Sequence, residues 1–208
     1  ERLRAQARLQ LAQEADPLGG VRHEVIDLAA LNRLPSPSVG DIFFDFEGDP
    51  LWQEPGSGIW GLEYLFGMVE VDSGTPQFRA FWAHDRRQEK QALMDFVDHV
   101  FGRLKQWPDL HIYHYAPYEP AALLRMAARR GVYEDEVDEL LRRRVFVDLY
   151  AVVKAGIRVS QRSYSIKKLE PLYMPPREGE VQGGAESVVV YHQFTAATIE
   201  GRSDEATS

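Results

Sequence analysis

The sequence predicts an α/β fold, with a mixed sheet and helices on both of its faces. Three apolar stretches separated by short turns indicate an antiparallel three-strand meander in the first half of the chain. From residue 85 onward, apolar residues recur at helical spacing. Short apolar segments then alternate with helical ones, which is the order of elements in α/β proteins.

The meander is predicted from its apolar stretches and from the turn residues between them. The first strand covers residues 42–47 and ends in a turn, because a glycine and a proline follow closely. A loop is expected over 49–58, and the second and third strands over 59–71 and 77–82. The aromatic residues of these strands are predicted to lie in the core. They are Trp60, Tyr64, Phe66, Phe81 and Trp82.

The second half of the chain is predicted to alternate helices with short strands. The helix over 134–144 is acidic at its start and basic at its end, as the helix dipole favours. The other predicted helices cover 85–107, 118–130, 149–155, 165–172 and 187–198, and the strands cover 109–114 and 145–148.

Residues 1–38 are predicted to be a helix and a linker from a preceding domain. Residues 1–16 alternate charged residues with Leu, Ala and Gln, which predicts an amphipathic helix. Pro35 and Pro37 indicate an extended linker, and we place the domain boundary there. Residues 39–208 form the main domain in this interpretation, and both ends of the chain are expected to continue into a longer polypeptide.

The composition excludes several classes of protein. A hydrophobic fraction of 44% is enough for a core, and the absence of cysteine excludes disulfides and thiolate metal sites. We therefore expect a cytoplasmic protein, and no apolar run is long enough to imply a membrane partner. The formal net charge of −8 argues against a protein that mainly grips phosphates, but not against an enzyme that places acids around metal ions.

Asp45 and Glu47 are the first candidate metal ligands. Alternate side chains of a strand point to opposite faces, so both carboxylates project from the same face. Two adjacent anions repel each other, and burying them unpaired costs free energy. A divalent cation relieves this repulsion, and oxygen ligands suit Mg²⁺ or Mn²⁺. The alternative is a pair of solvated acids at the end of a strand.

Further candidates follow the other predicted strands. His114 and Asp148 each end a strand, and Glu119 lies in the first turn of the helix after His114. In open α/β sheets functional groups gather at the carboxyl ends of strands, so these side chains are expected near the acids of the first strand. For Glu119 the alternative is an ordinary helix start, because the helix dipole favours a carboxylate there.

Four segments of the sequence resemble motifs of the DnaQ-like, or DEDD, 3′–5′ exonucleases. They are FFDFEGDP (43–50), HIYHYAPYE (111–119), VDLY (147–150) and SYSIKKLE (163–170). The closer resemblance is to the ribonuclease H-like domain of RecB-like nucleases, large bacterial proteins that often also carry a helicase. It runs from about residue 34 to 191 and implies a ribonuclease H-like fold.

The resemblance implies hydrolysis of phosphodiesters with two Mg²⁺ or Mn²⁺ ions. Asp45 and Glu47 correspond to the first-motif acids, Glu119 to the second-motif acid, and Asp148 to a further ligand or a residue behind the ligands. Glu119 departs from the Asp usual in that superfamily. The last motif, a Tyr or His followed four residues later by Asp, is not found, and Asp204 lacks the right neighbour. We therefore expect the domain to be truncated before its last catalytic helix.

The resemblance also implies the substrate and the partners. Lys167, His114 and Tyr118 are the expected substrate contacts, with Lys167 as the main phosphate contact. The alternatives are a solvated surface for Lys167 and core packing for Tyr118. DNA is expected in preference to RNA, and the partners are flanking RecB-like nuclease and helicase domains of the same polypeptide.

Two functions from different classes stay open. The first is a metal-dependent 3′–5′ exonuclease domain acting on DNA. The second is a non-catalytic ribonuclease H-like module that binds nucleic acid or braces a larger protein, which Glu119 and the missing last acid both favour. The sequence contains no glycine-rich phosphate loop that would support a third alternative, an enzyme acting on a small molecule.

Overall fold

The predicted α/β fold with a mixed sheet is confirmed in a computed structural model, which describes residues 1–16, 18, 20–54, 56–72, 74–175 and 184–199. The strands are β1 (His23–Val25), β2 (Ile42–Gln53), β3 (Trp60–Asp72), β4 (Thr75–Trp82), β5 (Ile112–His114), β6 (Phe146–Asp148) and β7 (Ile157–Val159). The helices are α1 (Arg2–Ala15), α2 (Leu28–Leu31), α3 (Arg86–Gln106), α4 (Tyr118–Arg130), α5 (Glu134–Arg142), α6 (Leu149–Gly156), α7 (Ile166–Leu169) and α8 (Gly184–Ile199), with a 3₁₀ turn at Glu170–Leu172.

The main sheet has five strands in the order β4-β3-β2-β5-β6. The meander of β2, β3 and β4 is antiparallel, whereas β5 runs parallel to β2 and β6 parallel to β5. The buried side chains of β2 pack on α3, where the rings of Phe44 and Phe96 stack with centroids 4.4 Å apart. This arrangement places the carboxyl ends of β2, β5 and β6 along one edge of the sheet.

Strand β2 is longer than predicted, because it continues through Gly48 and Pro50 to Gln53. The expected turn after Glu47 is therefore wrong. Glu47 pairs with Leu65 and Gly48 pairs with Glu63, so β3 carries one extra residue at this point. Such a β-bulge lets the two strands stay paired while the chain twists, and this long-range pairing outweighs the local preference of glycine and proline for a turn.

The bulge also changes which face the side chains of β3 reach. Phe66 belongs to the core beneath α3, whereas Tyr64 stacks on Tyr191 of α8 with ring centroids 3.9 Å apart. Tyr64 and Phe66 are buried as predicted. Trp60 and Trp82 are 55% and 50% exposed, so their predicted place in the core is wrong. An aromatic strand residue enters the core only where another element covers it, which sequence alone does not show.

The N-terminal residues pack on a second, two-stranded sheet that was not predicted. β1 pairs antiparallel with β7, and the side-chain amide of Gln6 in α1 donates to the carbonyl of Val159 at 2.8 Å. The predicted first helix is confirmed, but its Leu3 and Leu11 face solvent. The domain boundary near residue 38 stays a prediction. No helix in the described part of the chain is long and apolar enough to cross a membrane.

Candidate active site

Three acids of β2 lie on one face of the sheet. Asp45 and Glu47 project from the same face, as predicted, while the core residues Phe44 and Phe46 project from the other. The structure adds Asp49, which is fully buried and whose Oδ2 lies 2.9 Å from Nε2 of His192 in α8. The alternate spacing of Asp45, Glu47 and Asp49 in the sequence indicates that all three side chains share a face, but only if the strand continues past Gly48.

Glu119 of α4 lies against Asp45. It occupies the first turn of the helix and is 3% exposed. Removal from water is the largest cause that raises the pKa of Asp45, followed by the charge of Glu119, a hydrogen bond with Glu119 and the charge of Glu47. These effects bring the pKa of Asp45 to about 7, although the backbone N–H of Phe46 donates to its Oδ1 at 2.9 Å. Asp45 therefore takes up a proton near neutral pH, and a hydrogen bond links it to Glu119.

His114, the last residue of β5, supports Glu119 from inside the protein. Its Nδ1 lies 2.7 Å from the carbonyl oxygen of Ala116 and 3.2 Å from Oε2 of Glu119. Both neighbours are acceptors, so Nδ1 carries a proton and donates to them. Burial alone would lower the pKa of His114, but these hydrogen bonds and the charges of Glu119 and Asp148 raise it. The side chain of His114 is buried, and the substrate contact expected of it stays a prediction.

Ala116 connects His114 to Asp148 through a strained backbone. Its φ of 75° lies in the left-handed region, which residues other than glycine adopt at a cost of about 1 kcal/mol or more. Its N–H donates to Oδ1 of Asp148 at 3.0 Å, and the same oxygen accepts from the N–H of Tyr150 at 2.9 Å, which caps α6. Oδ2 of Asp148 forms no hydrogen bond within the described residues. Asp148 thus holds the loop that positions Glu119, and its role as a metal ligand stays a prediction.

The other two predicted substrate contacts lie in different surroundings. The hydroxyl of Tyr118 donates to Oε1 of Glu63 at 2.5 Å, and about half of the side chain is exposed. Burial is the main reason that the pKa of Glu63 is raised. Lys167 is exposed on α7, and among the described residues no hydrogen bond or ion pair links it to the acids. Both expected roles stay predictions.

The donors at this site have the chemistry that a hard divalent cation requires, but they are not arranged around one. Within the described ranges, no group of three His, Asp or Glu residues is placed to hold a metal ion, so a preformed metal site is not found there. Asp45 is instead hydrogen-bonded to Glu119, whose Oε2 also accepts from His114. The neighbouring carboxylates raise the pKa of Asp45, and a cation bound among them would relieve their repulsion. Asp204, considered for the last motif, lies outside the described residues.

Comparison with known proteins connects this geometry to a family. A family model described as the RNase H superfamily matches residues 42–205. This range spans the main sheet, the acids of β2, Glu119 and α8. No curated protein and no solved structure matched the chain.

Proposed function

This chain belongs to the RNase H superfamily, and from that premise we propose that it is a metal-dependent nuclease domain that hydrolyses phosphodiesters. The observation that carries the proposal is the acid cluster formed by Asp45, Glu47 and Glu119, in which the pKa of Asp45 is raised to about 7. Domains of this superfamily usually process nucleic acids, and perturbed carboxylates at the end of a sheet are the groups that such chemistry uses.

In this proposal Asp45, Glu47 and Glu119 would hold Mg²⁺ or Mn²⁺. When bound, the ions supply a hydroxide nucleophile and neutralise charge on the phosphate. The protein's own residues prepare the site. His114 donates to Glu119 and fixes the direction of its carboxylate, while Asp148 holds the backbone of Ala116 against His114. Asp45 must release its proton before it can act as a ligand.

The finer assignment is a 3′–5′ exonuclease on DNA within a larger polypeptide that carries RecB-like nuclease and helicase domains. The four sequence segments that resemble the DEDD exonucleases support it, and Asp45, Glu47 and Glu119 occupy three of the four acid positions of that pattern. An acid that follows on a further helix would complete the set in this proposal.

A second candidate function is a non-catalytic module that binds nucleic acid or braces a larger protein. Two observations favour it: no three donors of the described chain are arranged for a metal, and Asp148 is engaged in capping α6. The two functions differ in what a cation does to the protein, which gives a direct test.

The test measures metal binding and cleavage with the same pair of proteins. Mn²⁺ at millimolar concentration should raise the melting temperature of the 208-residue chain, because a ligand that binds only the folded state stabilises it. Asp45→Asn should abolish this shift and reduce cleavage of a labelled single strand by at least ~10²-fold, the scale of losing one electrostatic group at an active site. Asp135→Asn, which changes an exposed acid of α5, is the matched control and should alter neither the shift nor the cleavage. A melting temperature indifferent to Mn²⁺, together with no cleavage, would favour the non-catalytic module.

A further inference from the structure

A groove lies beside α4. It lies between α4 and the bulged ends of β2 and β3, and its volume is about 550 Å³, within the range of about 300–1,000 Å³ seen for ligand sites. Gly48 and Tyr118 line it, and they are the chain neighbours of Glu47 and Glu119. Because side chains alternate along β2, position 48 faces the side opposite to Glu47, so the groove and the acids Asp45 and Glu47 lie on opposite faces of this strand.

Gly48 leaves room for the carboxylate of Glu63 at the floor of this groove. A Cβ at Gly48 would lie 2.4 Å from Oε2 of Glu63, so a larger residue would displace that carboxylate. Glu63 Oε1 accepts from Tyr118, while its Oε2 is buried without a hydrogen-bond partner in the described chain. The groove thus has a fixed floor built from the bulge and from the Glu63–Tyr118 pair.

Two arginines line the groove on the side of α4. Arg125 and Arg129 are four residues apart, so they lie on the same face of the helix, and both are exposed. Arg125 sits over the ring of Tyr118 at 5.5 Å. Within the described chain neither arginine forms an ion pair, whereas their neighbour Arg130 contacts Glu89 at 2.5 Å. The charges of Arg125 and Arg129 act on the Glu63 carboxylate, whose pKa they lower, and their exposed guanidinium groups can also contact an anionic ligand.

Trp60 provides an open aromatic surface in the same groove. It is 55% exposed, and its ring contacts no aromatic ring or cation among the described residues. Its backbone is fixed by pairing with Gln53 and precedes Gly61, whose φ of 80° requires glycine. Side chains that combine an exposed aromatic ring with cations are the parts that proteins use to hold single strands.

We propose that this groove holds a nucleotide of a single-stranded nucleic acid, with its base on Trp60 and its flanking phosphates on Arg125 and Arg129. The inference rests on the proposed function, because a nucleic-acid strand is the substrate proposed for the acids on the other face of β2. It assigns the phosphate contacts to α4, in addition to the contact expected of Lys167.

The experiment measures binding of a fluorescent 12-nucleotide thymidine oligomer by anisotropy, without metal and in the Asp45→Asn background, so that cleavage plays no part. Trp60→Leu should weaken binding about tenfold, since stacking of one base contributes on that scale. Arg125→Gln and Arg129→Gln should each reduce the salt slope of log K by about 0.7, as loss of one phosphate contact on a single strand does.

Matched controls separate the groove from general surface effects. Trp82→Leu removes another half-exposed tryptophan, and Lys105→Gln removes a cation from α3, about 24 Å along the helix from Glu89 at the groove. Both controls should bind as the parent does. Equal losses in controls and groove variants, or competition by polyglutamate as strong as by the oligomer, would overturn the proposal.

The outcomes also separate this inference from the proposed function. If the chain cleaves with Mn²⁺ and Asp45→Asn stops it, while the three groove variants bind normally, the groove inference fails and the nuclease stands. If no cleavage is found but binding depends on Trp60 and the two arginines, the groove stands and the catalytic assignment fails.

Discussion

Glu70 and Asp45 are acids on neighbouring strands of one sheet, yet their surroundings are opposite. Glu70 is 1% exposed and contacts His99, Nε of Arg103 at 3.4 Å and Nε of Arg79 at 3.6 Å. Burial alone would raise its pKa, but the hydrogen bond from His99 and the three positive charges lower it. Asp45 has two carboxylates as neighbours, and its pKa is raised to about 7.

The difference shows which acids the fold has stabilised by itself. Glu89 follows the pattern of Glu70, because Arg86 and Arg130 contact it at 3.1 and 2.5 Å. In the part of the chain that the structure describes, no lysine or arginine forms an ion pair with Asp45, Glu47 or Glu119. Acids that the fold pairs with positive side chains contribute to stability. Acids placed beside other carboxylates repel one another, and a bound cation can relieve that repulsion.

The largest effect that this comparison predicts is an opposite change in stability at the two acids. Glu70→Gln should lower the free energy of unfolding by about 3–5 kcal/mol, because it removes the anion of a buried ion-pair cluster with Arg103 and His99. Asp45→Asn should leave stability at pH 8 unchanged or raise it by about 1 kcal/mol, because it removes repulsion at a partly solvent-screened site. Urea unfolding of both variants measures the two values, and changes of the same sign and size would break the comparison.

The second prediction is an opposite dependence of stability on pH. The pKa of Asp45 is about 7 in the folded state and about 3.9 in the unfolded chain, so the folded state binds more protons between these values. The contribution of Asp45 therefore falls as pH rises from about 4 to 7 and is level above that. The pKa of Glu70 is lowered, so its contribution is present above the unfolded value of about 4.3 and is lost as pH falls below it.

Melting curves of the wild type and of Asp45→Asn check this prediction. The two proteins should melt together near pH 4, and the variant should gain about 1 kcal/mol relative to the wild type by pH 8, once solvent screening is allowed for. Glu70→Gln is the control, since its deficit should shrink only below about pH 4.3. A constant difference between wild type and Asp45→Asn across this range would show that Asp45 does not titrate as described.

Most of the main sheet could be predicted because its pattern is local and periodic. The apolar spacing predicted a helix over 118–130, and α4 has those limits. Two features depend on residues distant in the sequence, so no local apolar period predicted them. Strand β2 continues past Gly48 only because β3 pairs with it across a bulge, and β1 and β7, three residues each, are too short to show a period.

The candidate site could be predicted in part for the same reason. The rule that side chains alternate along a strand placed Asp45 and Glu47 on one face, and the order of strands brought Glu119 to the same edge. Asp49 was missed because Gly48 and Pro50 around it favour a turn. The left-handed backbone of Ala116 could not be anticipated, since it follows from contacts with His114 and Asp148 that only the folded chain makes.

The smallest expected effect concerns Lys167, which belongs to neither acid region. If the acid cluster obtains its positive charge from metal ions, the phosphates of a substrate need separate cations, and Lys167 is an exposed one on α7. Lys167→Ala should then reduce the salt slope of oligonucleotide binding by about 0.7 and leave the melting temperature unchanged. Lys105→Ala, an exposed lysine near the end of α3, is the matched control and should leave the slope as it was. An unchanged slope for Lys167→Ala would assign this lysine to the solvated surface, and the positive charge at the site would then come from the metal ions and the arginines of α4.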